Sequence, residues 1–221
     1  MRNLIQRTIS SYGAEGDDAF ASEDVIEFLN SSHSRTVSML SQMEKSTGTM
    51  LRSLDPLRFR EKIDITGDPF VENGYEVVEV DLPQIIIDIV HASYINGNEN
   101  KTIRLRELQT DQLTLLEMGN TRPNWLESFY HITKVQGDTE PYNVFEIYSE
   151  NITTGIDKVR IYYIRKPSEI EDTDIELPEL PNHLIDAVIY GACVKMALKV
   201  EDSSITKFRN MYHSEIKNNA V

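Results

Sequence analysis

Five histidines, one cysteine and one run of carboxylates are the groups through which this chain of 221 residues could do chemistry. His33, His91, His131, His183 and His213 are scattered, and no two share a ligand-like spacing. Cys193 stands alone, which excludes an internal disulfide and a cysteine-rich zinc site. It falls inside an apolar helical pattern, where a thiol is a small buried hydrophobe. The carboxylates are Glu169, Glu171, Asp172, Asp174 and Glu176. Calcium takes several oxygens from a sharply curved loop that a glycine usually turns. This run has no glycine and is stiffened by Pro167, Pro178 and Pro181, so it reads as an extended, solvated linker. A glycine-rich phosphate loop, a nucleophile elbow and a His-Glu-x-x-His helix are all missing from the sequence. The expectation is a protein that is not an enzyme, with no catalytic residue, no cofactor and no metal. A metal-dependent hydrolase built on the acidic run is the alternative, and loss of activity on chelation would mark it.

Charge bounds the partners. Thirty-six acidic residues against 22 basic give a formal charge of −14. Gripping a phosphate backbone takes clustered lysine and arginine. A chain this acidic repels duplex DNA over most of its surface, apart from any local basic patch, and is better suited to let DNA pass. No stretch approaches the ~18 apolar residues that span a bilayer, so no membrane partner is expected. The segment Met1–Arg7 is basic but lacks the apolar run of a signal peptide, which implies folding in a cytoplasm. Trp125, after Arg122-Pro123-Asn124, fits an interface anchor as well as the lid of a small core.

The elements that would position these residues fall into three stretches. Leu4, Ile5, Ile9 and Tyr12 recur at helical spacing until Gly13 and Gly16. A second helix is expected with Ser22 as its cap and Glu23 and Asp24 in its first turn. Val25, Leu29, Ser32, Thr36, Leu40 and Met43 form its stripe, polar in the middle. After Pro56 the pattern changes to short β-branched and aromatic runs. Strands are predicted at 62–66, 75–80, 85–95, 102–105, 129–135, 144–148 and 158–164. Asn96-Gly97 supplies a hairpin signal, and a short helix is expected over 111–117 between Thr110 and Gly119. Val159, Ile161 and Tyr163 alternate with Arg160, Tyr162 and Ile164, as on a half-buried strand. After the proline-rich acidic run, Ile185, Val188, Ile189, Ala192, Met196 and Val200 stripe a third helix. Gly191 beside that stripe marks close helix packing. A last helix carries Ile205, Phe208, Tyr212 and Ile216. The fold class is therefore α+β. Residues 1–56 and 167–221 form a helical bundle, and 57–166 are an inserted β-rich lobe, barrel-like or sandwich-like.

Read in order, several stretches resemble the head-to-tail adaptor proteins of tailed phages. One is Arg160-Ile161-Tyr162-Tyr163-Ile164-Arg165-Lys166-Pro167. After an acidic spacer comes Leu177-Pro178-Glu179-Leu180-Pro181-Asn182-His183-Leu184-Ile185-Asp186-Ala187-Val188-Ile189-Tyr190-Gly191-Ala192, then the aromatic-rich Phe208-Arg209-Asn210-Met211-Tyr212. Glu23-Asp24-Val25-Ile26-Glu27-Phe28-Leu29-Asn30 is similar to the family's opening helix, and Tyr75–Leu82 with Pro83 and Asn96-Gly97 to its first hairpin. The segment 41–53 and the strand near Tyr148 depart from the pattern. The resemblance implies a structural protein of the virion neck, assembled in the host cytoplasm. Its partners would be the portal protein, a tail or nozzle protein, and copies of itself in a homo-oligomeric ring, a dodecamer. Genome DNA would pass through the lumen without specific binding. A stopper or tail-completion neck protein is the nearest alternative, and a host-side interaction module a more distant one. The resemblance also implies that the C-terminal segment docks on the portal, through Tyr212, Ile216, Lys217 and Val221. Tyr212 and Ile216, four residues apart, fit a partner's groove. They equally fit closure of the bundle against Ile185 and Val188.

Overall fold

The computed structural model describes residues 3–13, 20–72, 75–82, 86–98, 101–108, 128–136, 141–149 and 152–220. The chain divides into two units, Met1–Arg58 with Ile164–Val221, and Phe59–Tyr163.

The first unit is helical. α1 (Leu4–Tyr12) starts where the Asn3 side chain accepts the Gln6 amide at 2.9 Å and stops at Gly13 in the left-handed region. α2 (Ser22–Thr47) carries Glu23 and Asp24 in its first turn, but Ala21 and not Ser22 occupies the cap position. α3 (Ile185–Lys199) and α4 (Ile205–Asn219) follow the acidic segment. A 3-10 turn, Arg52–Leu57, ends the N-terminal part. α3 is apolar on nearly every side, with Ile185, Ala187, Val188, Ile189, Ala192, Cys193, Val194, Met196 and Ala197 all buried. Such a helix must be surrounded, and α1, α2 and α4 all pack on it. Gly191 makes the approach possible. A Cβ there would lie 2.0 Å from the Ser32 hydroxyl oxygen on α2 and 3.1 Å from the Tyr212 ring on α4. The polar middle of the α2 stripe thus has a use: Ser32 donates to the Val188 carbonyl at 2.7 Å, and Thr36 lies 3.3 Å from the Tyr212 hydroxyl.

The acidic segment is a correction. It is not a solvated linker. Ile170, Leu177 and Leu180 are buried, and its backbone is tied to both N-terminal helices. The Leu4 amide donates to the Asp174 carbonyl at 2.8 Å and the Asn3 side chain to the Asp172 carbonyl at 2.6 Å. Asn30 on α2 accepts the Ile170 amide at 2.7 Å. Three apolar side chains and a set of backbone bonds hold the segment down, while Glu171, Asp172 and Glu176 between them stay exposed.

The second unit holds one curled, mixed sheet of eight strands, half of a barrel, in place of a sandwich. Its strands are β1 (Arg58–Asp64), β2 (Phe70–Glu72), β3 (Tyr75–Asp81), β4 (Ile86–Asn96), β5 (Lys101–Glu107), β6 (Ser128–Gln136), β7 (Pro141–Ser149) and β8 (Lys158–Arg165). The order is β1-β8-β4-β5-β6-β7-β3-β2. β4 and β5 form the hairpin that Asn96-Gly97 signals, with Asn96 opposite Lys101. β5 and β6 run parallel, and β6-β7, β7-β3 and β3-β2 antiparallel. One interior core collects alternate residues from the strands, including Val78, Val80, Tyr94, Leu105, Tyr130, Phe145, Ile147, Val159, Ile161 and Tyr163. A smaller cluster of Val77, Phe129 and Tyr148 lies on the opposite face of β3, β6 and β7. The fold is α+β. β1 begins at Arg58, four residues before the expected strand, and β2 was not expected. The expected helix over 111–117, Gly119 and Trp125 lie outside the described residues.

Candidate functional site

The groups that could do chemistry are dispersed. Among the described residues no three of His, Cys, Asp and Glu are gathered so as to hold a metal ion, and no helix is long and apolar enough to cross a membrane. His33 is completely buried on α2, and neither ring nitrogen has a hydrogen-bond partner. Burial pulls its pKa down to about 4, a loss of basicity that the nearby Pro178 carbonyl only partly opposes. His131 is held by the Leu108 carbonyl at 2.8 Å. Cys193 is fully buried with its thiol 3.8 Å from the Thr8 carbonyl, and burial pushes its pKa up to about 12. It is inert packing.

The carboxylates that are buried serve architecture. Asp157, wholly buried in the second unit, is the hub of the β4–β5 turn. It accepts the Gly97 amide at 2.8 Å, the Thr153 amide at 2.7 Å and the Tyr94 hydroxyl. Gly97 is required there, because a Cβ would lie 2.4 Å from the Ile156 side chain and 2.5 Å from its carbonyl oxygen. In the first unit, Glu44 near the end of α2 accepts the Leu51 amide at 2.8 Å and pairs with Arg58. Burial alone would raise the Glu44 pKa. The Arg58 hydrogen bonds, the Leu51 amide and the Arg58 charge together hold it below its usual value. Glu179, at a left-handed φ of 60°, pairs with Arg165 and accepts the Ser168 amide at 2.9 Å, locking the acidic segment.

The C-terminal helix is where the resemblance placed an interface. Tyr212 and Ile216 lie in the interior with Phe208, at 3%, 1% and 4% exposure, so their apolar sides are already covered by their own unit. Arg35 lies over the Tyr212 ring at 5.9 Å. Lys217 is exposed, and Val221 lies outside the described residues. Phe208 stacks on Tyr12, whose hydroxyl donates to Asp202 at 2.8 Å. Asp202 in turn accepts the Ser204 amide at 2.8 Å just before α4. With its apolar stripe turned inward, α4 presents Lys207, Arg209, His213 and Lys217 outward. Glu215 is the helix's one acid, and it is half-buried and bonded to Asn219 at 2.8 Å. Three cations against one carboxylate make this a basic face on a chain of net charge −14. The spacing of Tyr212 and Ile216 fits docking and bundle closure alike, and in the fold both side chains are buried within their own unit.

An α+β chain whose buried carboxylates Asp157 and Glu44 fasten the fold, and whose last helix presents a charged face, has the makings of an assembly component. The match to a family model is specific. Residues 2–219 match the model of the SU10 adaptor protein, and the chain belongs to that family of structural phage adaptors, which are virion components. No curated protein matches the chain.

Proposed function

We propose that the protein is the head-to-tail connector of a tailed-phage virion, a ring seated on the portal and joined to the tail. The family match across residues 2–219 carries this reading. The net charge of −14 suits a lumen that DNA slides through, since a chain repelled by phosphates has no grip on them. The exposed basic face of α4 is the part assigned to the portal. Opposite charge across an interface steers docking and fixes register, and Lys207, Arg209 and Lys217 are free to act this way while Tyr212 and Ile216 hold the helix in place.

Removing the protein from the phage that encodes it is expected to leave DNA-filled heads that keep their portal and lack tails. Tailed, infectious particles made without it would refute the reading. Lys207→Glu with Arg209→Glu and Lys217→Glu should abolish copurification with portal at unchanged melting temperature. Undiminished copurification would move the portal contact away from α4.

A further inference from the structure

The curled sheet ends in two strands, β1 and β2, whose outer edges pair with no other strand among the described residues. The two edges are opposite in kind. Along β1, Phe59 lies 6.1 Å from the Tyr163 ring, and Glu61 accepts the Tyr163 hydroxyl at 3.3 Å. That places Phe59, Glu61 and Ile63 on the Tyr163 side, and Arg60 and Lys62 on the other. Arg60 and Lys62 are exposed and have no ion-pair partner among the described residues. At β2, Phe70 is 43% exposed and Val71 is 74% exposed. Around them stand three exposed carboxylates, Asp68, Glu79 and Asp81, also unpaired among the described residues. With Phe70 and the end of β1 they line a cleft of about 420 Å³.

We infer that copies of this chain associate head to tail, the β1 edge of one copy adding to the β2 edge of the next. An open edge presents unpaired N–H and C=O groups that an added strand satisfies. Charge selects which strand. Two β1 edges would oppose Arg60 and Lys62 to their own kind, and two β2 edges would oppose carboxylates, so only unlike edges attract. Arginine and lysine on an edge also protect a sheet from aggregation, but that explanation has no place for Phe70 and Val71 exposed on β2 itself. A contact between unlike surfaces leaves one of each free, so it propagates and closes into a ring when the rotation allows. One three-residue edge buries far less than the ~1,200 Å² of a stable pair, so the contact is weak singly and gains on closure. The inference deepens the ring reading by naming its contact, and rests on that reading only for closure.

The test uses the full chain in two charge variants, Arg60→Glu with Lys62→Glu, and Asp68→Lys with Glu79→Lys and Asp81→Lys. By sedimentation at low salt, each alone should associate at least about tenfold more weakly than the natural chain, and an equimolar mixture should recover. Arg60→Cys with Val71→Cys should give, on oxidation, a covalent ladder beyond dimer, whereas either cysteine alone stops at dimer. Cys193 is buried and silent in this assay. Association of the natural chain that neither variant weakens would overturn the edge contact and leave the ring standing. A natural chain that stays monomeric at millimolar concentration, with no ladder, would overturn both.

Discussion

The helical unit and the sheet unit solve the burial of polar groups in opposite ways. In the helical unit, small polar residues sit at the contact between helices. Ser32 and Thr36 bond across to α3 and α4, and Gly191 lets the backbones approach. Among its described residues, the fully buried His33 ring has no hydrogen-bond partner on either nitrogen. In the sheet unit the interior is nearly all apolar, and a single carboxylate, Asp157, gathers three donors at one turn. Distributed polar contacts make the first unit sensitive at many points, each modestly. A concentrated hub makes the second sensitive at one point, severely.

The sharpest way to break this contrast is Asp157→Ala. It strands the Tyr94 hydroxyl and the Gly97 and Thr153 amides, at a cost of roughly 3–5 kcal/mol for three buried donors. Hydrogen exchange should show the loss within 59–163, with α2 and α3 protected as before. Equal loosening of the helices would erase the distinction between the units.

His33 tests the other side through pH. Its ring takes a proton near pH 6.5 in the unfolded chain and near 4 in the fold. Above 6.5 both states are neutral and the fold keeps its full stability. Between 6.5 and 4 only the unfolded chain gains the proton, so stability falls with pH, by roughly 3 kcal/mol in all. Urea midpoints at pH 7 and pH 4.5 measure it, and His33→Leu should flatten the difference. An unchanged slope in that variant would assign the acid sensitivity to other groups.

Gly191→Ala is expected to cost about 1–3 kcal/mol by forcing α2 and α4 away from α3. Adding Ser32→Ala should return part of it, because the closest clash is with the Ser32 hydroxyl. A strictly additive double variant would mean that α2 does not set the spacing. The smallest effect belongs to Arg7→Ala. Its pair with Asp186, 3.1 Å apart, is well exposed, and its loss should move stability by no more than about 0.5 kcal/mol. A larger drop in melting temperature would show that α1 is anchored by charge.

Periodic features were legible in the sequence. Val159, Ile161 and Tyr163 announce the inner face of β8 by alternation alone, and Asn96-Gly97 announces the β4–β5 hairpin. Gly191 announces a close helix contact because nothing else explains a glycine mid-stripe. What escaped notice lacks a period. β2 has three residues, too few to alternate. β1 was expected only from residue 62, because on an edge strand rich in charge the opening Arg-Phe-Arg-Glu does not look half-buried. The acidic segment misled because charge and proline are read by composition, while Ile170, Leu177 and Leu180 hold it at irregular intervals. Asp157 is one acid in a turn, and only the fold brings its three donors together. At the C-terminus the spacing of Tyr212 and Ile216 showed an apolar face without showing which way it turns.

The helical unit is assembled from both ends of the chain, and this imposes an order in time. α1 and α2 leave the ribosome long before α3, the helix they pack on, has been made. The acidic segment that bonds to Asn3, Leu4 and Asn30 is also late. Residues 59–163 are contiguous, and nascent domains fold as units as they emerge. The sheet unit can therefore close while the first two helices wait with Val25, Leu29 and Leu40 uncovered. The newborn protein passes through an interval in which its N-terminal helices are the segment most in need of a chaperone, and synthesis of α4 ends that interval.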